Sequence, residues 1–166
     1  RDVDALARGD ERGEIVLAFR EDGVAEDGAD LDEDAGTVST IEGTPEQQQR
    51  WLPPLIRGEL KAAFAVTEPN AGLNTLRLES RAVREGDHYI LNGSKIWTSY
   101  GDLGDWMFCL VRSDSDAPRH AGISLVLFDM TTKGVSTRPI RLISGKSPFT
   151  ETFFDNVRVE KDQVVG

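Results

Sequence analysis

From Ala62 to the end of the chain, short apolar stretches alternate with turn residues, and no long helical pattern intervenes. A two-residue period means that one side of each stretch is buried and the other is wet, as in a half-exposed β-strand. Leu76, Leu78, Ser80 and Ala82 alternate in this way with Arg77, Glu79, Arg81 and Val83. Gly86-Asp87 punctuates a hairpin into His88–Leu91. Asn92-Gly93 reads as a second hairpin turn, because both residues tolerate positive φ. Lys95–Thr98, Trp106–Arg112, Ile123–Asp129, Val135–Ile143 and Glu151–Val159 supply further strands, and Ala63–Thr67 a short apolar run. The fold class expected is mainly β, an antiparallel barrel or sandwich over residues 61–166.

A short helical lead-in precedes it, at residues 44–60. Thr44 is a suitable N-cap, Pro45 a suitable first residue, and Gln47 completes a capping box. Trp51, Leu52, Leu55 and Ile56 share one face. Pro53-Pro54 is expected to break or kink the helix, and Gly58 to stop it. Residues 1–43 carry little periodicity beyond the apolar patch Ile15–Phe19. This segment is expected to be irregular or poorly ordered.

Charge narrows the partners. The net charge is −10, and eight carboxylates between Glu21 and Gly36 leave only −2 for the rest. With no cluster of Lys and Arg, nucleic acid is not an expected partner. Asp30–Asp34 resembles the start of a calcium loop, but Ala35 and Ile41 stand where Gly and Glu are needed, so no metal site is expected. No apolar run approaches the roughly 20 residues of a membrane helix. No secretory leader is visible, and a chain beginning at Arg1 is expected to lack its true start. The lone Cys109 fits a reducing, cytoplasmic location.

Walker, Gly-x-Gly-x-x-Gly and Gly-x-Ser-x-Gly patterns are absent, as are paired metal-ligand motifs. His88 and His120 read as surface residues. Two segments stand out. Phe64–Gly72 (FAVTEPNAG) joins a strand end to a loop whose N–H groups are free to meet a ligand, with Gly72 allowing close approach. Lys95–Gly101 (KIWTSYG) places the Trp97 ring and the Ser99 hydroxyl on one strand face, as a flat heterocycle would need. From periodicity alone, a core Trp and a surface Ser are the plainer reading.

Ala63–Gly72, Leu91–Ser99 and Ser147–Val159 closely resemble the middle domain of acyl-CoA dehydrogenases. Gly43–Pro54 is similar to the helix before that domain, and Val164–Gly166 to its exit. The resemblance implies FAD as cofactor, with Phe64, Val66, Thr67, Gly72, Leu73, Trp97, Thr98 and Ser99 as its contacts. Val66 and Thr67 would meet the isoalloxazine ring, Trp97 would pack on it, and Ser99 would hydrogen bond near N5. Leu73 would also touch the acyl-CoA. The family often has Ser-Asp where this chain has Leu73-Asn74, so the hydroxyl contact is lost, a change of about 1 kcal/mol or roughly fivefold in affinity.

The implied reaction is α,β-dehydrogenation of an acyl-CoA thioester. Electron-transfer flavoprotein is the implied electron acceptor and a homo-oligomer the implied assembly. The catalytic glutamate is expected C-terminal of this chain, so none is assigned, and Glu68 is read as structural. A sister flavoenzyme (acyl-CoA oxidase or flavin monooxygenase) and a non-catalytic β-domain are the alternatives.

Overall fold

The computed structural model describes residues 43–165, together with two two-residue strands, β1 (Val16–Leu17) and β2 (Ser39–Thr40). β1 and β2 pair antiparallel, Val16 opposite Thr40. The acidic stretch and the calcium-like pentapeptide lie outside the described residues.

Helix α1 (Pro45–Ile56) begins as its sequence dictates. Thr44 Oγ1 accepts the Gln47 N–H at 3.3 Å, and Gln47 Oε1 accepts the Thr44 N–H at 2.8 Å. Pro53 and Pro54 do not break the helix, which runs through both and ends before Arg57 and Gly58. The missing N–H groups leave the Gln49 and Arg50 carbonyls without helical donors, but both residues are exposed, so water can take that role. The Pro53 and Pro54 carbonyls are capped by the N–H groups of Arg57 and Glu59. Trp51 and Leu52 bury against Phe108, Leu127 and Val165, while Gln47 Nε2 donates to the carbonyls of Asp162 and Val164. The helix is therefore tied to the sheet by both apolar and directional contacts. Among the described residues no helix is long and apolar enough to cross a membrane.

The remaining strands are β3 (Ala62–Ala65), β4 (Arg81–Glu85), β5 (His88–Ser99), β6 (Trp106–Arg112), β7 (Ile123–Asp129), β8 (Val135–Pro139), β9 (Phe149–Glu160) and β10 (Val164–Val165). They form one sheet in the order β10-β7-β6-β4-β5-β9-β8, with β3 also on β6. The mainly-β expectation holds. The closed barrel does not: β10 and β8 end the sheet and do not pair with each other. Nor is the sheet wholly antiparallel, since β3 runs parallel to β6, Ala63 beside Met107. β4 meets β6 only where Arg81 stands opposite Arg112, so the sheet is two halves joined at a narrow seam. Across the core, Ala63, Met107, Val111 and Phe128 of one half pack with Ala82, Leu91, Phe154 and Val157 of the other. Phe128 meets Phe154 edge to face, centroids 5.5 Å apart.

Two local expectations change. The β4 strand begins at Arg81, because Thr75–Arg77 forms a 3-10 turn capped by Asn74. The buried alternation nonetheless survives at Leu78, Ser80 and Ala82. Asn92-Gly93 is not a hairpin turn. β5 continues through it, with a bulge between Leu91 and Gly93 against β9. The Asn92 side chain accepts the Asn156 N–H at 2.8 Å, spending its hydrogen-bonding capacity across strands instead of within a turn. The predicted hairpin at Gly86-Asp87 is present.

Candidate functional site

The two halves of the sheet meet again where the chain leaves β3. The Ile96 N–H donates to the Thr67 carbonyl at 2.9 Å, and Lys95 Nζ donates to the Val66 carbonyl at 3.0 Å. The two segments singled out in the sequence therefore lie side by side. After Thr67 the chain doubles back in a tight turn, in which Glu68 and Ala71 exchange both backbone hydrogen bonds at 3.1 Å. Gly72 and Leu73 follow on an exposed loop, where a β-carbon on Gly72 would have open space.

Beneath this crossing lies a buried ion pair. Lys95 Nζ stands 2.8 Å from Glu68 Oε1, with the two side chains 0% and 3% exposed. Glu68 Oε1 also accepts the Ser80 N–H at 3.0 Å, and Oε2 accepts the Glu79 N–H at 2.5 Å. Burial pushes the Glu68 carboxyl up. The hydrogen bonds from Lys95, Glu79 and Ser80 and the Lys95 charge outweigh that, and hold it below the usual carboxylate range. The structural role expected of Glu68 is thus given a partner. Lys95 was not anticipated. Its only signal was a cation on a strand whose preceding buried position, Leu91, faces the core.

Immediately after Lys95, β5 bulges: Lys95 pairs with Thr152 but Thr98 pairs with Thr150, so Ile96 and Trp97 oppose a single residue. Trp97 takes φ 63°, a left-handed conformation that few bulky residues adopt. The bulge turns its ring outward, half-exposed at 51%, where it meets Phe149 edge to face at 5.9 Å. Trp97 is therefore not a core residue. Ser99 is exposed as well. Phe149 is a member of this face that the sequence did not single out.

Phe64 is partly exposed on the face of β3 opposite to buried Ala63 and Ala65, and Val66 and Thr67 are half-buried. Thr98 differs from the rest. Its side chain is buried with Thr150 and Thr152, and Thr98 Oγ1 and Thr152 Oγ1 have no hydrogen-bond partner among the described residues. The Thr150 hydroxyl donates to the Thr98 carbonyl at 3.2 Å. His88 closes the β4–β5 hairpin against Asp87, at 3.0 Å, away from these residues in sequence and in strand position.

A half-exposed aromatic ring and a hydroxyl two residues on, carried by a strand bonded to the end of β3, are groups suited to a flat, polar-edged heterocycle. The residues present fit a flavin, with Thr98 contributing no side chain to the outer face.

Residues 63–157, more than half of the chain, match the family model "Acyl-CoA dehydrogenase, middle domain". The chain is 46% identical over 124 residues to acyl-CoA dehydrogenase FadE34 of Mycobacterium tuberculosis, covering 75% of this chain and 17% of that protein. It superimposes on the Tcur3481-Tcur3483 steroid ACAD with a TM-score of 0.70 and 38% identity, over 74% of this chain and 32% of that one. A glutaryl-CoA dehydrogenase from Mycobacterium smegmatis, solved in complex with FADH2, matches with a TM-score of 0.65 and 33% identity, over 74% of this chain and 31% of that one. The chain thus spans a third or less of the length of these relatives.

Proposed function

The chain belongs to the acyl-CoA dehydrogenase family, and on that premise we propose that residues 61–166 are the FAD- and acyl-CoA-binding middle domain of an enzyme that removes hydrogen from Cα and Cβ of an acyl-CoA thioester. Residues 44–60 are read as the last helix before that domain. FAD, when bound, supplies the hydride acceptor at N5. What this chain supplies is a preorganised face. The observation that carries the reading is Trp97, held outward at φ 63° by a bulge directly beside Val66 and Thr67.

The hydrogen bonds already made limit what each residue can offer. The Val66 and Thr67 carbonyls are taken by Lys95 and Ile96. Each carbonyl keeps one lone pair, so this strand end offers a flavin that remaining acceptor together with N–H groups and the Thr67 hydroxyl, which donate to electron-rich ring edges. Ser99 offers a further hydroxyl and Trp97 a flat apolar wall. Gly72 and Leu73 offer backbone N–H groups to a phosphate, and Leu73 an apolar side chain to the substrate.

Glu68 is a poor candidate for proton abstraction. Its oxygens are engaged by Lys95, Glu79 and Ser80, and its lowered proton affinity makes it a weak base. We place the abstracting carboxylate outside the residues of this chain. A cytoplasmic location, a homo-oligomer and reoxidation by electron-transfer flavoprotein complete the proposal, on the strength of the family alone.

Titration of flavin fluorescence tests the reading. Saturable FAD binding by the full-length protein, weakened by Trp97→Ala, is the expected result, with acyl-CoA-dependent bleaching of the flavin band to follow. A full-length protein that binds no FAD refutes the proposal and favours a non-catalytic β-domain.

A further inference from the structure

We infer that the buried Glu68–Lys95 pair is a positioning couple for the flavin face, fixing the strand crossing that presents Val66, Thr67 and Trp97. The inference rests on the reading of that face as the FAD site. Neither residue is a catalytic residue, since both are buried and act through the backbone they hold.

Taking two charges out of water is expensive, and a well-packed apolar pair often stabilises a fold as well or better. What an apolar pair cannot do is fix direction. Here one carboxylate and one ammonium make four bonds to three separate places. Lys95 Nζ reaches Glu68 Oε1 at 2.8 Å and the Val66 carbonyl at 3.0 Å. Glu68 takes the N–H groups of Glu79 and Ser80 at 2.5 and 3.0 Å. The strand end after β3, the approach to β4 and the middle of β5 are thereby pinned to one point.

The position of that point in the chain matters. The residue after Lys95 makes the single backbone bond that joins the two segments, Ile96 N–H to the Thr67 carbonyl at 2.9 Å. The next residue is Trp97, at φ 63°. A bulge is a place where register can slip, and a slip of one residue moves every side chain to the other face. Lys95 lies at the last regular pair before the bulge, opposite Thr152. Its tether to Val66 sets where the bulge begins, and so which residue turns outward.

The test uses the full-length protein and three variants: Glu68→Gln, Lys95→Met and the two combined. The combined variant removes both charges and the Val66 tether, and keeps an amide oxygen for one of the Glu79 and Ser80 N–H groups, the amide NH2 facing the other. It is expected to melt cooperatively, to bind FAD about tenfold more weakly, as for a face held in its binding register in roughly one molecule in ten, and to shift the visible flavin band. A merely structural pair would leave that band unmoved in any variant that folds. Hydrogen exchange of the Ile96 amide in the unsubstituted protein gives an arm that needs no variant. It is expected to be as protected without FAD as with it. Wild-type affinity and spectrum in the folded double variant overturn the inference. So does an Ile96 amide that becomes protected only when FAD is added. Absence of FAD binding by the unsubstituted protein is a different result, removing the flavin reading and this inference with it.

Discussion

Gly93 lies so close to Ser80 that a β-carbon on it would stand 2.6 Å from the Ser80 α-carbon. Its φ of 143° is also one that side chains rarely adopt. The contact presses the approach to β4 onto β5 at the first bulge, where the Ser80 hydroxyl donates to the Ser94 carbonyl at 3.3 Å. Because the obstructing atom is backbone, no rotamer change relieves it. Gly93→Ala is expected to cost about 2–5 kcal/mol, from backbone strain plus overpacking. Gly86, at φ 65° with open space around it, is the control, and Gly86→Ala is expected to cost about 1–2 kcal/mol. Urea unfolding of the two variants checks this. Equal midpoints would contradict it.

The same dipeptide shows where sequence reasoning runs out. Asn92-Gly93 has the local chemistry of a hairpin turn, and only its neighbours decide otherwise: Asn156 captures the Asn92 side chain, and Ser80 fills the space where a turn would open. By contrast, β6 and β7 coincide with the stretches expected from apolar runs, because a strand buried on both faces writes itself as a run. The Thr44–Gln47 cap was legible for the same reason, being settled within four residues. Order among the strands was not, since which strand lies beside which depends on contacts far apart in the chain. Of the candidate site, Trp97, Ser99 and the Phe64–Gly72 loop were legible as motifs. The outward turn of Trp97 depends on a bulge, and the Glu68–Lys95 pair joins residues 27 apart in sequence, so neither leaves a local pattern.

Glu68 predicts how the fold fails in acid. Its carboxyl is held below the ordinary value of 4.5 in the folded protein. A depressed folded value means that the group stabilises the fold above its unfolded value, and that this contribution disappears as pH falls through the folded one. Glu46, Glu59, Asp87 and Glu160 are shifted the same way but are exposed, so solvent screens them. The melting temperature is therefore expected to drop steeply below about pH 4. Glu68→Gln is expected to be less stable at neutral pH and to show a shallower acid dependence. Parallel curves of melting temperature against pH for the two proteins would count against the pair as the source.

Cys109 offers a report on the core that is independent of any ligand. It lies fully buried on β6 between Phe108 and Leu110, and burial pushes its thiol up to about 12. A thiol that is both inaccessible and protonated is a poor nucleophile. Alkylation of Cys109 in the native protein at pH 8 is expected to follow the rate of unfolding, with stoichiometric modification in denaturant. Peptide mapping locates the modified residue. Rapid native modification would mean that the packing of Ala65, Val126 and Phe128 around it is wrong.

Trp97 is where stability and binding are expected to part. A bulky residue at φ 63° carries on the order of 1 kcal/mol of backbone strain, which glycine does not. Trp97→Gly also gives up the edge-to-face contact with Phe149, about 1 kcal/mol, and the burial of the half of the ring that is out of water, about 2–3 kcal/mol. The losses exceed the relief, so Trp97→Gly is expected to lower stability by about 2–3 kcal/mol. FAD affinity should fall as well, because the flat wall is gone. Trp97→Ala keeps the strain and loses the contact, so it should be the less stable of the two variants and bind FAD just as weakly. Chemical denaturation beside flavin titration separates these effects. A Trp97→Gly protein that unfolds much more readily than Trp97→Ala would show that the outward conformation is held by packing and not strained. A variant of either kind with unimpaired FAD binding would move the flavin off this face.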